Sequence, residues 1–249
     1  MSKPFHQALF SFLDLNTINY TLDKNIVRFK DYNFSFFLVL ENEENTYVDF
    51  IKKRSFESTN FNALLIFIWF DLWHSKQDII LSKITHLFGL STKLHARKTT
   101  IELVNKSDCE KFFTKNHLNQ PVIGYKRIGL SIDNEIIALA SFAKRRKFRD
   151  DTYSAELLQF STKNNHHING GLSKLIKHFT KIHHIDSLMT YIDLDWSTGE
   201  KFKKIGFEMD NQRDYVSFEL EQEHNQRRVT VNPNSHIFNT GSQKALIHF

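Results

Sequence analysis

Between Glu156 and Ile176 the chain passes from an apolar stretch through a polar turn into a pair of glycines. It reads Glu156-Leu157-Leu158-Gln159-Phe160-Ser161-Thr162, then Asn169-Gly170-Gly171-Leu172-Ser173-Lys174-Leu175-Ile176. A strand entering a helix through a glycine turn leaves the first helical N–H groups unpaired, and the helix dipole favours an anion above them. Without Cβ atoms at the turn, phosphates can approach that backbone, and a pyrophosphate fits. Further along, Tyr191 and Asp193 are two apart in a strand-like segment and face the same side. If that side lines a cleft, Asp193 serves as a base or an amine ligand; otherwise both belong to packing and surface. Adjacent residues of the His166-His167 and His183-His184 pairs point apart and lack acidic or cysteine partners at ligand spacing, so no metal is expected.

Basic residues gather in Lys144-Arg145-Arg146-Lys147 with Arg149, and again in Arg227-Arg228, within a formal net charge of +5. Such clusters attract phosphates, of nucleic acid or of a nucleotide cofactor, or are solvated surface. Elsewhere composition is restrictive. The 249 residues, 41% hydrophobic and 14% aromatic, suffice for one large domain or two small ones with a real core. The lone Cys109 excludes an internal disulfide and a cysteine zinc cluster and suits a reducing cytoplasm. The opening residues lack a signal-peptide pattern. Phe61 to Phe70 is the most apolar segment and is too short to span a bilayer, so no membrane partner is expected.

The elements that must position these groups follow from periodicity. Ile26–Phe29, Phe34–Leu40 and Tyr47–Phe50 read as short strands, and Leu64–Trp69 as another. A helix with apolar Ile79, Ile80, Ile84, Leu87 and Phe88 runs from Ser75 to Gly89. A new unit begins near Lys93. Its reading is a strand at Thr100–Val104, a helix capped by Ser107, a hairpin of Ile123–Ile132 and Glu135–Ala143 around Asp133-Asn134, and a strand at Glu156–Thr162. A helix at Leu172–His183, a strand at Leu188–Asp193, a helix at Thr198–Ile205 and a strand at Tyr215–Leu220 complete the order β-α-β-β-β-α-β-α-β. The polar segment from Glu221 reads as a surface tail.

The strand, glycine turn and helix resemble the acyl-CoA motif of GNAT acetyltransferases, in which an Arg or Gln precedes a Gly-x-Gly/Ala turn. On that motif His167 stands at the Arg/Gln position, Gly170 at the first glycine and Leu172 at the second small position. Glu200-Lys201-Phe202 through Gly206-Phe207 is similar to the family's ending, with Phe202 where a Tyr often protonates the departing thiolate. Ala96-Arg97-Lys98, Phe112-Phe113, Asn116-His117-Leu118, Ser141 to Lys144 with Arg146, Gly170 to Leu175, Tyr191-Ile192-Asp193 and Ile205-Gly206-Phe207 also resemble the C-terminal domain of phage homing-endonuclease-like proteins. Those carry a very-short-patch-repair-like nuclease region in front, and Leu64 to Ile84 is similar to its last strand and helix.

The resemblance implies an α/β fold: a small degenerate nuclease-like region at 1–92, a GNAT-like mixed sheet flanked by helices at 93–220, and a tail at 221–249 packing on it. It implies a cytoplasmic N-acyltransferase that uses acetyl-CoA as co-substrate, no metal, and an amine acceptor. Phe160, Ser161, Thr162, His167, Asn169, Gly170, Gly171, Leu172, Ser173 and Lys174 would hold the cofactor. Glu156, Asp193 and Tyr191 would serve catalysis, Glu156 as the base that deprotonates the amine; its other reading is a solvated strand end. The alternative is a non-catalytic module of phage or mobile-element origin that binds DNA or RNA through Lys144, Arg145, Arg146, Lys147, Arg149 and His117. For His117 a helix-end histidine bonding free carbonyls is the plainer reading. Nuclease chemistry needs acidic residues on adjacent strands holding a divalent metal, and Glu41 and Asp49, its loose candidates, read equally as surface positions.

Overall fold

The computed structural model describes residues 3–41, 46–221, 226–232 and 235–249. By compactness the chain forms two units, one of residues 1–77, 192–200 and 211–243, the other of 78–191, 201–210 and 244–249. Both units are interleaved along the sequence. Among the described residues no helix is long and apolar enough to cross a membrane.

The first unit opens with α1 (Lys3–Leu15) and the strands β1 (Tyr20–Asp23), β2 (Ile26–Phe29) and β3 (Phe34–Val39). Next come α2 (Tyr47–Phe61), β4 (Leu64–Trp69) and the start of α3 (Phe70–Leu87). The sheet order is β1-β2-β3-β4, antiparallel up to β3 and parallel between β3 and β4. A parallel pair needs a crossover, and α2 supplies it. Tyr47-Val48-Asp49-Phe50, expected as a strand, is thus the first turn of a helix. Thr46 Oγ1 accepts the Asp49 N–H at 3.3 Å, while the Asp49 carboxylate accepts the Thr46 N–H at 3.0 Å and its hydroxyl at 2.7 Å. This reciprocal cap satisfies helix-end donors and outweighs the β-propensity of Tyr, Val and Phe. Hydrogen bonds from Thr46 hold the Asp49 carboxyl below its usual range. Helix α3 likewise starts at Phe70 rather than Ser75, with non-helical backbone at Lys76 marking the kink.

After β4 the chain leaves this unit and returns to it late. The strands β14 (Ser217–Leu220), β15 (Arg227–Thr230) and β16 (Ile237–Phe238) form a separate sheet of order β15-β14-β16. Phe238 is buried with Phe50, Phe67 and Trp69 in one core cluster, its ring 4.9 Å from Phe50 and 5.1 Å from Trp69. Part of the expected tail therefore joins the first unit through β15, β16 and the buried Phe238, because burying such aromatic area outweighs solvation of its polar neighbours. Arg227, expected in a basic patch, pairs bidentately with buried Asp71 at 2.7 and 2.9 Å.

The second unit holds β5 (Thr92–His95), β6 (Thr100–Leu103), α4 (Lys106–Asn116), β7 (Lys126–Ile132), β8 (Glu135–Phe142) and β9 (Arg146–Lys147). It continues through β10 (Tyr153–Thr162), β11 (His166–Asn169), α5 (Gly171–His183), β12 (Ser187–Asp193), α6 (Glu200–Lys203), β13 (Glu208–Arg213) and, near the end of the chain, β17 (Ser242–His248). A mixed sheet of order β13-β17-β12-β10-β8-β7-β6 runs through it, with β9 beside β10. Helix α4 is capped by Asn105, whose Oδ1 accepts the Asp108 N–H at 2.9 Å, not by Ser107. The β7–β8 hairpin turns on Asp133 and Asn134, both at positive φ as a two-residue turn requires. Cys109 and Phe113 of α4 pack with Leu139 on one face. On the other, Phe179 of α5 stacks on Phe142 at 4.0 Å. The sheet's outer strand is β13, not Tyr215–Leu220; its exposed, non-alternating side chains give no period-2 signal. The helix expected at Thr198–Ile205 is one turn.

The cap on α2 yields a direct check. Thr46→Ala should lower the free energy of unfolding in urea by about 1 kcal/mol, whereas a strand at Tyr47–Phe50 would leave the midpoint unchanged.

Candidate functional site

Strand β10 pairs in parallel with β12 over Ser154↔Ser187, Ala155↔Leu188 and Glu156↔Met189 only. Beyond Glu156 the two strands part, although β10 runs on to Thr162 and β12 to Asp193. On its other side β10 keeps pairing with β8, from Leu157↔Phe142 to Thr162↔Ala138, with an irregularity between Leu157 and Gln159. The Thr190 hydroxyl donates to the Leu157 carbonyl at 2.9 Å, closing the root of the split. Past it, β10 presents one backbone edge with no ladder partner among the described residues, at the carboxyl ends of two parallel strands, where open α/β sheets place ligands.

Register assigns the faces. Leu157 lies opposite Phe142, on the α5 side, whereas Gln159 and Ser161 lie opposite Ser141 and Leu139, on the α4 side. Glu156, one residue before Leu157, and Met189 opposite it share the α4 side, and Tyr191 follows Met189 by two. Glu156 and Tyr191 thus occupy one face at the mouth of the split. Asp193, two residues beyond Tyr191 at the end of β12, continues the same face. Its Oδ1 accepts the Asp195 N–H at 2.9 Å in the turn after β12, and residues 192–200 belong with the first unit.

At the glycine turn, Gly170 adopts φ +74° as N-cap of α5 and no side chain caps the helix. Gly171 is buried, and a Cβ there would lie 3.1 Å from the Cβ of Ile168, a tight fit against that side chain. Lys174 is engaged within the protein. Its ammonium donates to the carbonyls of Ala96 at 2.9 Å and Thr99 at 2.5 Å and to Thr99 Oγ1 at 3.2 Å, pinning the loop before β6. Ser161 donates to the Asn116 carbonyl and Thr162 to the His166 carbonyl at 2.9 Å, so both hydroxyls brace the loop into β11.

His117 ends α4, and its Nδ1 accepts the Asn119 N–H at 3.1 Å. It helps fold a turn whose main anchor sequence reading missed. Buried Gln159 accepts the Val122 N–H at 2.7 Å and donates to the Gln120 carbonyl at 2.7 Å. Buried Ser141 accepts the Gly124 N–H at 2.7 Å and donates to the Val122 carbonyl at 2.8 Å. These two side chains hold residues 120–124 against the α4 side of the sheet. An amide inside the apolar run Leu157-Leu158-Gln159-Phe160 was the available signal.

The architecture is a mixed sheet flanked by helices. No family model matches the chain, and no curated protein matches it. Among solved structures, Arabidopsis thaliana Naa50 in complex with a bisubstrate analogue aligns at TM-score 0.43 and 10% identity, covering 61% of this chain and 99% of that one. A GNAT family acetyltransferase from Elizabethkingia anophelis with acetyl-CoA bound gives 0.37 and 14%, with the same coverage. The ribosomal-protein-S18-alanine N-acetyltransferase from Escherichia coli gives 0.39 and 12% over 60% of this chain and 93% of its own. These are loose likenesses, in which neither residue roles nor ligands carry over.

His167 sits 4.6 Å from the ring of His86, whose Nε2 lies 2.6 Å from Lys201 Nζ. Burial, then the Lys201 charge, push His86 down to about 4. Burial also lowers His167, against an opposing hydrogen bond with Asn169. His86 is therefore the neutral acceptor and Lys201 the donor. Between the unfolded value of 6.5 and about 4, the unfolded chain binds a proton that the folded one refuses, so stability falls as pH drops through that window. In an NMR titration of the imidazoles, His86 should stay neutral until near pH 4, and His86→Gln should flatten the acid slope of stability.

Proposed function

We propose that the second unit transfers an acyl group from acyl-CoA to an amine acceptor. The observation that carries this reading is the early parting of β10 from β12 beside the uncapped glycine start of α5. The unpaired edge of β10 offers N–H and C=O groups to the amides of a pantetheine arm, as a strand would to an added strand. The N–H groups of Gly171, Leu172 and Ser173 receive the pyrophosphate, with the helix dipole adding to the attraction. Phe160, Ser161, Thr162, His167 and Asn169 shape the wall and loop between these contacts, and Lys174 contributes by holding the turn rather than by touching phosphate.

On the α4 side, Glu156 takes the proton from the acceptor amine, which attacks the thioester carbonyl carbon. The C–N bond forms, the C–S bond breaks, and the departing thiolate takes a proton. Phe202 cannot give it; its ring packs edge-on against Phe207 at 5.5 Å. Tyr191, the phenol sharing a face with Glu156, is assigned that proton. Residues 120–124, clamped by Gln159 and Ser141, wall the acceptor side. Asp193 is assigned no chemical step.

The nuclease-like origin of the first unit belongs to the same reading, as a scaffold. Asp49, a candidate metal ligand, caps α2, and buried Glu57 is held by Arg28 at 2.6 Å. A cytoplasmic setting belongs to the same reading; Cys109 is a buried thiol pushed up to about 11 by desolvation.

Calorimetry with acetyl-CoA tests the assignment. Wild-type protein should bind, and Gly170→Val should weaken binding at least tenfold, since valine cannot comfortably hold φ +74° and its side chain covers the N–H groups. Circular dichroism of the variant should remain that of folded protein. Absence of heat from the wild type at millimolar acetyl-CoA would leave the glycine turn a structural helix start and end the acyl-CoA reading.

A further inference from the structure

The far end of α5 from the glycine turn carries an independent feature. The helix spans 13 residues, so its two ends are about 20 Å apart. Around its C-terminus lie residues 125–126, 144–153 and 177–186, which hold eight Lys and Arg against three Asp. That excess equals the formal net charge of the whole chain, +5. The rest of the protein is balanced, so its basic character is a local property of this surface.

The charges are presented on a rigid frame. Strand β9 pairs with Tyr153 and Ser154 of β10, and the turn between them is closed by Phe148 N–H to the Thr152 carbonyl at 2.8 Å and by Asp150 accepting the Thr152 N–H at 3.2 Å and hydroxyl at 2.7 Å. Arg145 spans the surface, donating to the His183 carbonyl at 2.8 Å and lying 4.1 Å over the Tyr153 ring. Lys147 is paired with Asp151 at 2.6 Å, whereas Lys144, Arg146 and Arg149 meet no carboxylate among the described residues. All lie exposed.

Aromatic rings stand among these cations. Phe148 at the hairpin tip and Tyr125 are each 55% exposed, and Lys126 Nζ lies 5.1 Å from the Tyr125 ring. Beside Tyr125 opens a cleft of about 350 Å³ that Lys144, Arg145, Phe179, Ile182, His183 and His184 also line. Exposed cations without carboxylate partners, exposed rings and a cleft beside one of them are the recognition chemistry of an unpaired polynucleotide strand: phosphates meet charge while bases stack on π-faces. A duplex offers no such base faces.

We infer that this surface, formed by Tyr125, Lys126, Lys144, Arg146, Phe148 and Arg149, binds single-stranded nucleic acid. Binding here does not require acyl transfer and leaves the split between β10 and β12 open. The test is fluorescence anisotropy of the full chain with labelled oligo(dT), oligo(rU) and a duplex of equal length, across a salt series, with heparin as a purely ionic comparison.

Single strands should bind at least tenfold more tightly than duplex. Arg146→Glu with Arg149→Glu should weaken them tenfold or more and reduce the slope of log K against log salt by about 1.4, for two lost phosphate contacts. Tyr125→Ala with Phe148→Ala should weaken single strands about tenfold or more at unchanged slope, with heparin binding unaffected. Preference for oligo(dT) or oligo(rU) identifies the natural strand, and either supports the inference. No single-strand binding at low salt, equal affinity for duplex and heparin, or indifference to the ring substitutions would overturn it. Gly170→Val should bind single strands normally, so failure at this surface and failure of acyl-CoA binding are separable.

Discussion

Strand β10 answers two demands that a regular strand cannot meet together. It must pair with β8 from Leu157 to Thr162 to close the core, and it must release β12 after three residues to open the split. The irregularity between Leu157 and Gln159 reconciles them. In an unbroken strand, residues two apart share a face, yet Leu157 lies with Phe142 toward α5 and Gln159 lies with Ser141 toward α4. The added residue reverses the alternation, as a bulge does, and bends the strand locally. Gln159 is thereby delivered under residues 120–124 instead of into the apolar layer below α5, where its amide would be costly. Split, clamped loop and satisfied amide follow from one inserted position.

The first unit solves a different problem, the burial of charge. Glu57 is fully buried and receives Arg28 and the Ser35 hydroxyl, and Asp71 receives Arg227, whose guanidinium lies between Trp69 and Phe218. Asp195 accepts Trp69 Nε1–H at 3.1 Å and Thr240 N–H at 2.8 Å; burial raises its pKa, with Asp193 reinforcing the shift. Buried ion pairs of this kind contribute little net stability but penalise any arrangement that separates the partners. They tie segments remote in sequence to one aromatic core.

Local chemistry was legible in the sequence where it decides structure alone. The positive-φ pair Asp133-Asn134 marked its hairpin, and the Asn-Gly-Gly turn marked the start of α5. The helix at Tyr47 was legible too, through Thr46 and Asp49 at capping-box spacing, but aromatic and β-branched residues spoke louder for a strand. Partners far along the chain escaped notice. Lys174 looks like a phosphate ligand until Ala96 and Thr99 arrive beneath it, Gln159 is anonymous until residues 120–124 fold over it, and β17 joins the sheet with little more than Gln243 and Ala245 facing inward. Strand parting depends on how long two strands stay in register, which composition does not encode.

The interleaving of the first unit bears on how the chain is made. Phe50 and Trp69 leave the ribosome long before Phe238, the ring that completes their cluster. At about 5–20 residues per second, that interval is roughly ten to forty seconds. Over that time the whole stretch from β5 to α5 is available to fold, while the earlier aromatic sheet waits with an uncovered face. The aromatic cluster around Phe50 and Trp69 therefore closes only after Phe238 has emerged, well after its other members.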